Sequence, residues 1–275
     1  MKTILIPTDF SNDANNALEY GLAIAKEAKA KVVLLNAYEI PYTASSIMSD
    51  KIFSVLEEGS LKGLHELAQK LREKHPQVEI DIKAYRGDLK NYVSAANFHQ
   101  HYDMIVMGTK GAGSIENVIF GSTTTAVLEK SAVPVLAIPV KAQYGDIKTI
   151  AYASDYQQED MEIIQKLTDI ARSFNAAIKI VHIVEQDFDD FEEVVRFKGF
   201  QVMVKESIAF EHISFDKVVA DNFEKGLNQY ISEQKISLLA LTTHKRSFLA
   251  KLLVPSLTKM ITMHAEVPVI SFRVA

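Results

Sequence analysis

The chain contains no cysteine. That excludes disulfides, thiolate metal sites and cysteine nucleophiles, and it fits a reducing compartment. A surplus of positive charge is also missing. The net charge is −5 over 275 residues, so nucleic acid has no electrostatic footprint to meet. No stretch approaches the roughly 18 apolar residues of a membrane span. The apolar opening, Met1 to Pro7, is too short for a secretory signal, and Asp9 follows at once. A Gly-Lys-Ser/Thr run of the Walker type is absent as well. These absences lead us to expect a cytoplasmic protein with neither nucleic acid nor a membrane as partner. What remains, 48% hydrophobic and 24% charged residues, describes an ordinary globular chain long enough for two domains.

The chain repeats itself. Lys2 to Phe10 (KTILIPTDF) returns as Lys148 to Tyr156 (KTIAYASDY), and Lys31 to Glu39 (KVVLLNAYE) as Ala177 to Glu185 (AIKIVHIVE), both 146 positions later. Ser131 to Leu136 (SAVPVL) returns as Ala265 to Ile270 (AEVPVI), 134 positions later. The second half is therefore a shortened duplicate. The joint falls near Lys141 to Asp146, giving expected domains of 1–141 and 146–275.

In the first half, short runs rich in Val, Ile and Leu (Thr3–Pro7, Lys31–Ala37, Glu79–Ala84, Met104–Met107, Val135–Pro139) predict buried strands. Helical patterns lie between them. One is the stripe Ala14, Ala17, Leu18, Gly21, Leu22, Ala25 and Ala28, behind a Ser11 N-cap. A second contains Leu61, Leu64, Leu67, Ala68 and Leu71. Val93, Ala96 and Asn97 mark a weaker third, and a fourth is expected from about Gly121 to Ser131. Such alternation predicts α/β domains, each a parallel sheet with helices on both faces. Ligands of these sheets bind beyond the carboxyl ends of the strands, where the connections switch direction.

At one such end stands a glycine pattern: Met107-Gly108-Thr109-Lys110-Gly111-Ala112-Gly113, then Gly121-Ser122-Thr123. Glycines that open a loop and then a helix let backbone N–H groups close around a phosphate, and the helix N-terminus adds partial positive charge. Lys110 either neutralises phosphate charge or faces solvent, and the loop could also be plain surface that needs positive φ. The second copy, Leu241-Thr242-Thr243-His244-Lys245 through Pro255-Ser256, has lost these glycines, and Pro255 removes a donor N–H where Gly121 stood.

The Pro7-Thr8-Asp9 strand end, the Gly-x2-Gly-x9-Gly-Ser spacing of Gly108, Gly111, Gly121 and Ser122, and the Val133-Pro134-Val135 strand give the chain its likeness. It resembles the universal stress protein family in its tandem form, over essentially its whole length. The resemblance implies two Rossmann-like, adenine nucleotide alpha hydrolase-like domains, each a five-stranded parallel sheet of order 3-2-1-4-5. It implies an internal pseudo-dimer through the fifth strands and leaves a further homodimer open. It also implies ATP or another adenine nucleotide, with Mg²⁺ arriving on the phosphates. The nucleotide would be held in the N-terminal domain by Pro7, Thr8, Asp9, Ala37, Met107, Gly108, Lys110, Gly111, Gly113, Gly121, Ser122 and Thr123. Asp9 would accept hydrogen bonds from the adenosine part, unless it serves as a helix cap beside Ser11 and Asp13. Ala37 would contribute only its main chain, next to adenine.

No general base or nucleophile is placed for efficient chemistry, so a regulatory, stress-response role is expected, with slow ATP hydrolysis left open. An interaction module with no nucleotide is the alternative. An adenylate-chemistry enzyme would need a His-x-Gly-His or Ser-Gly-Gly-x-Asp loop, and the first loop reads Thr8-Asp9-Phe10-Ser11-Asn12-Asp13 instead. His99 and His101 lack a third ligand at metal spacing and suit a solvated helix end. Asp187, Asp189, Asp190, Glu192 and Glu193 suit an acidic surface loop, and segments 40–61 and 186–214 suggest helices that pack against the other half or a partner, with packing into the interior the preferred use.

Overall fold

The computed structural model describes residues 1–39, 46–95, 97–109, 121–142, 144–184, 191–243 and 267–273. The chain divides into two compact units, Met1–Tyr144 and Gly145–Ala275.

The first unit is built from β1 (Thr3–Pro7), α1 (Asn12–Ala28), β2 (Lys31–Tyr38), α2 (Ser46–Lys74), β3 (Ile80–Arg86), α3 (Leu89–Val93), β4 (Met104–Gly108), α4 (Ser122–Lys130) and β5 (Val135–Ile138). The strands pair in parallel in the order β3-β2-β1-β4-β5. Alternation along the strands feeds two cores. Ile6 points toward α1, where it meets Gly21 beside Val106. Leu5, Ile105, Met107 and Val135 join Leu89, Val93, Phe98 and Val127 in a core on α3 and α4. Helices thus cover both faces of the sheet, as a buried parallel sheet requires.

Local chemistry sets the helix ends. Ser11 caps α1, its hydroxyl accepting from Ala14 N at 3.2 Å. The helix stops at Lys29, which takes a left-handed φ of 51° and satisfies the last carbonyls from its N–H. Asp88 caps α3 by accepting from Lys90 N. α2 runs unbroken for 29 residues, so the apolar content of 46–61 belongs to the same helix as Leu61–Leu71. On it Phe53 packs under the Arg86 guanidinium at 3.2 Å, while Val55 stands exposed. Ala96 and the side chains of Ile47 and Met48 lie outside the described residues.

The second unit repeats the plan with β6 (Thr149–Ala153), α5 (Asp160–Phe174), β7 (Ala177–Val184), α6 (Phe191–Ser207), β8 (Ile213–Val219), α7 (Phe223–Glu233), β9 (Leu238–Thr243) and β10 (Val269–Arg273). Its parallel order is β8-β7-β6-β9-β10. The duplication extends to backbone conformation: Phe10 and Tyr156 share a positive φ, as do Lys29 and Asn175.

Two expectations need correction. Glu192 and Glu193 are not loop residues but form the first turn of α6, and Glu193 is partly buried 3.7 Å from the Lys217 ammonium. Residues 185–190, with Asp187, Asp189 and Asp190, lie outside the described residues. α6 is also only partly internal: Phe200 and Val204 are buried, whereas Val202 and Met203 face outward.

Candidate nucleotide site

β1 and β4 lie side by side at the point where the strand order reverses. Their carboxyl ends, about a hundred positions apart in sequence, therefore share one edge of the sheet.

Past β1 the chain makes a tightly pinned turn. Thr8, buried, donates its N–H to Leu35 O at 2.8 Å. Its hydroxyl accepts from Phe10 N at 3.0 Å, and its carbonyl accepts from Asn36 Nδ2 at 2.8 Å. Phe10 takes φ 62°, a conformation costing a side-chain-bearing residue about 1–2 kcal/mol. The turn brings its ring over Gly63 of α2, where an added Cβ would lie 2.9 Å from Phe10 Cζ. Asp9 stands exposed at the crest, Oδ1 accepting from Ser11 N at 3.0 Å. That bond closes a turn ahead of α1, whose N-cap is Ser11, and the carboxylate stays exposed. Pro7 pairs with Leu35 across the β1–β2 ladder. Ala37, half-buried, pairs with Tyr85 and packs on the α3–α4 core.

At β4, the Met107 side chain is buried in that core, so only its main chain is left for a ligand. Gly108 ends the strand, its carbonyl accepting from Thr124 Oγ1 at 3.0 Å. Thr109 donates its N–H to Ile138 O at 3.1 Å and accepts from Gly121 N at 2.8 Å. The last bond pins together the two ends of segment 110–120. α4 starts there, with Gly121 as an N-cap that makes no side-chain cap bond and Ser122 and Thr123 exposed in the first turn. The first N–H groups of such a helix have no partner within it. Lys110, Gly111 and Gly113 lie outside the described residues, as does 244–266 of the second unit. His99 and His101 sit exposed at a short 3-10 turn, Phe98–Gln100.

The same edge of the second unit is filled differently. Tyr152, Asp160 and Thr242 stand where the first unit has Ile6, Ala14 and Gly108. Tyr152 OH donates to Asp160 Oδ1 and Ser154 Oγ to Asp160 Oδ2, each at 2.5 Å, and Gln157 N adds a third bond at 3.1 Å. The Thr242 side chain lies near the Tyr152 hydroxyl and lowers its pKa in small part. Burial raises the Asp160 carboxyl above its ordinary range, although the Ser154, Tyr152 and Gln157 bonds pull it back in part. Burial, then the Asp160 charge, raises the Tyr152 hydroxyl further. Asp155 remains exposed; its carbonyl accepts from Arg196, and its carboxylate is 3.9 Å from His182 Nδ1. The Tyr156 ring packs at a tilt against His182, centroids 4.3 Å apart, and against Phe197 and Phe200 at 5.3 and 5.2 Å. This cluster was missed from sequence because Tyr152 reads as one more strand residue and Asp160 as an ordinary helix start. Asn36 and Thr124 were missed too, although Asn36 and His182 align as polar residues within apolar strands.

The family model described as the universal stress protein family matches residues 1–139 and again 146–273. The universal stress protein E homolog of Haemophilus influenzae is 23% identical over 201 residues, spanning 66% of this chain and 63% of that protein's own length. A universal stress protein of Methanocaldococcus jannaschii is 26% identical over 159 residues, 51% of this chain and 96% of that one. The crystal structure of a universal stress protein from Archaeoglobus fulgidus superposes with a TM-score of 0.75, covering 98% of both chains at 19% identity, a likeness of fold.

Proposed function

The chain belongs to the universal stress protein family, once in each half, and from that premise we propose that it is an ATP-binding regulatory protein of the stress response whose nucleotide is held by the first half alone. The observation that carries this is what one sheet edge holds: the end of β1, which leads into Asp9, lies beside the end of β4 at Gly108, from which Thr124 reaches back at the N-terminus of α4.

The residues fit such a ligand. Gly121 caps α4 without a side chain of its own, which leaves the first-turn N–H groups and the exposed Ser122 and Thr123 hydroxyls for phosphate oxygens. Thr124 is turned inward to Gly108, so it braces the site and does not enter it. Asp9 offers an acceptor to the ribose side of an adenosine. Lys110, Gly111 and Gly113 complete the proposed phosphate loop, and Mg²⁺ arrives on the phosphates. In the second half Thr242 puts a side chain where Gly108 has none, near the Tyr152 hydroxyl, which argues against the same mode of binding there.

ATP acts in this proposal as a ligand that stabilises one state of the protein by mass action. The site of action is the cytoplasm; among the described residues no helix is long and apolar enough to cross a membrane. Thermal unfolding with and without Mg-ATP, after mass spectrometry for co-purified nucleotide, tests it. At a hundredfold excess over Kd the stabilisation is about 2.7 kcal/mol, a rise of roughly 5–10 °C. Gly111→Val and Gly121→Val should each abolish the shift while melting normally without nucleotide. Neither shift nor bound nucleotide in the unaltered protein would leave an interaction module of the same fold.

A further inference from the structure

In β2, Lys31–Tyr38 (KVVLLNAY), a single amide interrupts the apolar run: Asn36. Its Nδ2 donates to the carbonyl of Thr8 at 2.8 Å. That carbonyl belongs to the peptide plane on the amino side of Asp9. The plane on the carboxyl side is held as well, because Phe10 N–H donates to Thr8 Oγ1 at 3.0 Å. A residue's φ and ψ are fixed once both flanking planes are fixed. The direction of the Asp9 Cα–Cβ bond is therefore set by two bonds, one of which comes from another strand, and Ser11 N then holds the Oδ1 end.

The second half makes the same latch with a different residue. His182 stands at the matching place in β7, and its Nδ1 lies 2.7 Å from Ser154 O. Tyr156 N donates to Ser154 Oγ at 3.0 Å, as Phe10 does to Thr8, and Ser154 N donates to Val181 O as Thr8 does to Leu35 O. Tyr156 and Phe10 share their left-handed conformation, φ 57° and 62°. The δ nitrogens of asparagine and histidine lie equally many bonds from the main chain, so either residue can place a donor at one point. Two halves that diverged at the glycine loop have both kept a δ nitrogen on this carbonyl.

We propose that Asn36 is a positioning residue for the nucleotide site: it holds the Thr8–Asp9 peptide so that the Asp9 carboxylate meets the adenosine part of the ligand in one orientation. The inference rests on the nucleotide function proposed above. It separates Asn36 from the phosphate-binding residues, which lie on β4 and α4. Loss of the latch should weaken recognition of the nucleoside and leave recognition of phosphate alone.

The test is calorimetric titration of the full chain with Mg-ATP and, separately, with inorganic tripolyphosphate. Asn36→Leu, close in size but without a donor, should bind ATP about five- to tenfold more weakly, the range expected for one unmade hydrogen bond, and tripolyphosphate as the unaltered chain does. Asn36→His should restore the ATP affinity, because it installs the second half's donor. His182→Asn should leave ATP affinity unchanged. Undiminished ATP binding by Asn36→Leu, equal loss for both ligands, or failure of Asn36→His to restore it would each overturn the positioning role. An unaltered chain that binds no ATP would overturn the nucleotide function itself, and this inference with it.

Discussion

At Gly21, α1 approaches the sheet so closely that an added Cβ would lie 2.5 Å from Ile6 Cδ1 and 3.3 Å from Val106 Cγ1. At Gly59, within α2, an added Cβ would meet nothing within 4 Å. The same substitution should therefore have opposite signs at the two positions. Gly→Ala in a helix gains up to about 1 kcal/mol from backbone entropy. At Gly59 that gain stands alone, so Gly59→Ala should raise the urea midpoint. At Gly21 it is set against overpacking of two fully buried side chains, which costs roughly 1–3 kcal/mol, so Gly21→Ala should lower it. A stabilised Gly21→Ala would show that Ile6 has room to move. The sequence placed Gly21 in the apolar stripe of α1, because periodicity shows which face is buried. How close the helix comes depends on Ile6 and Val106, which belong to two strands, and no local pattern encodes that distance.

α5 begins at Asp160, and there an element's start has been turned into a buried polar cluster. Charge is favoured at a helix N-terminus, and three donors reach the carboxyl. Burial nevertheless outweighs them and leaves its pKa above the ordinary 3.8. A carboxyl whose folded pKa is raised binds its proton more tightly in the folded state than in the unfolded one. Its contribution to stability is then fully present below the unfolded pKa and is lost as the pH rises through the folded value. The amide introduced by Asp160→Asn does not titrate, so that variant supplies the baseline. The stability of the unaltered chain relative to it, from urea unfolding between pH 4 and 7, should fall as the pH rises; a rising difference would mean that the three hydrogen bonds dominate. Such clusters are hard to see in sequence, whereas the elements themselves were mostly legible. Thr3–Pro7 was placed residue for residue, and α4 came within one position of Gly121 and Ser131 at its ends. A helix was expected in segment 40–61, but not that residues 46–61 would run on as the first half of one helix, α2. Its exposed Val55 and open Gly59 break the apolar stripe that elsewhere marks a helix, yet the backbone runs on to Lys74.

Across the whole chain, one frame is used twice with different chemistry at the same edge. The frame was legible because duplication leaves paired strings in the sequence, and the lost glycines of the second half were legible for the same reason. The replacement was not: Thr242, Tyr152 and Asp160 come from β9, β6 and α5 and meet only after folding. If the second half has closed its crevice with its own hydroxyls and carboxylate, ligand and protein should respond to each other in one half only. Amide hydrogen exchange of the full chain, with and without saturating Mg-ATP, reads this directly, since groups ordered by a ligand open less often. Exchange should slow at residues 8–11, 108–109 and 122–125 and stay unchanged at the corresponding 154–157 and 242–243. Protection in both halves would mean that Thr242 and Tyr152 part to admit a second nucleotide. Protection in the second half alone would reverse the assignment and make the glycine loop of the first half a structural remnant.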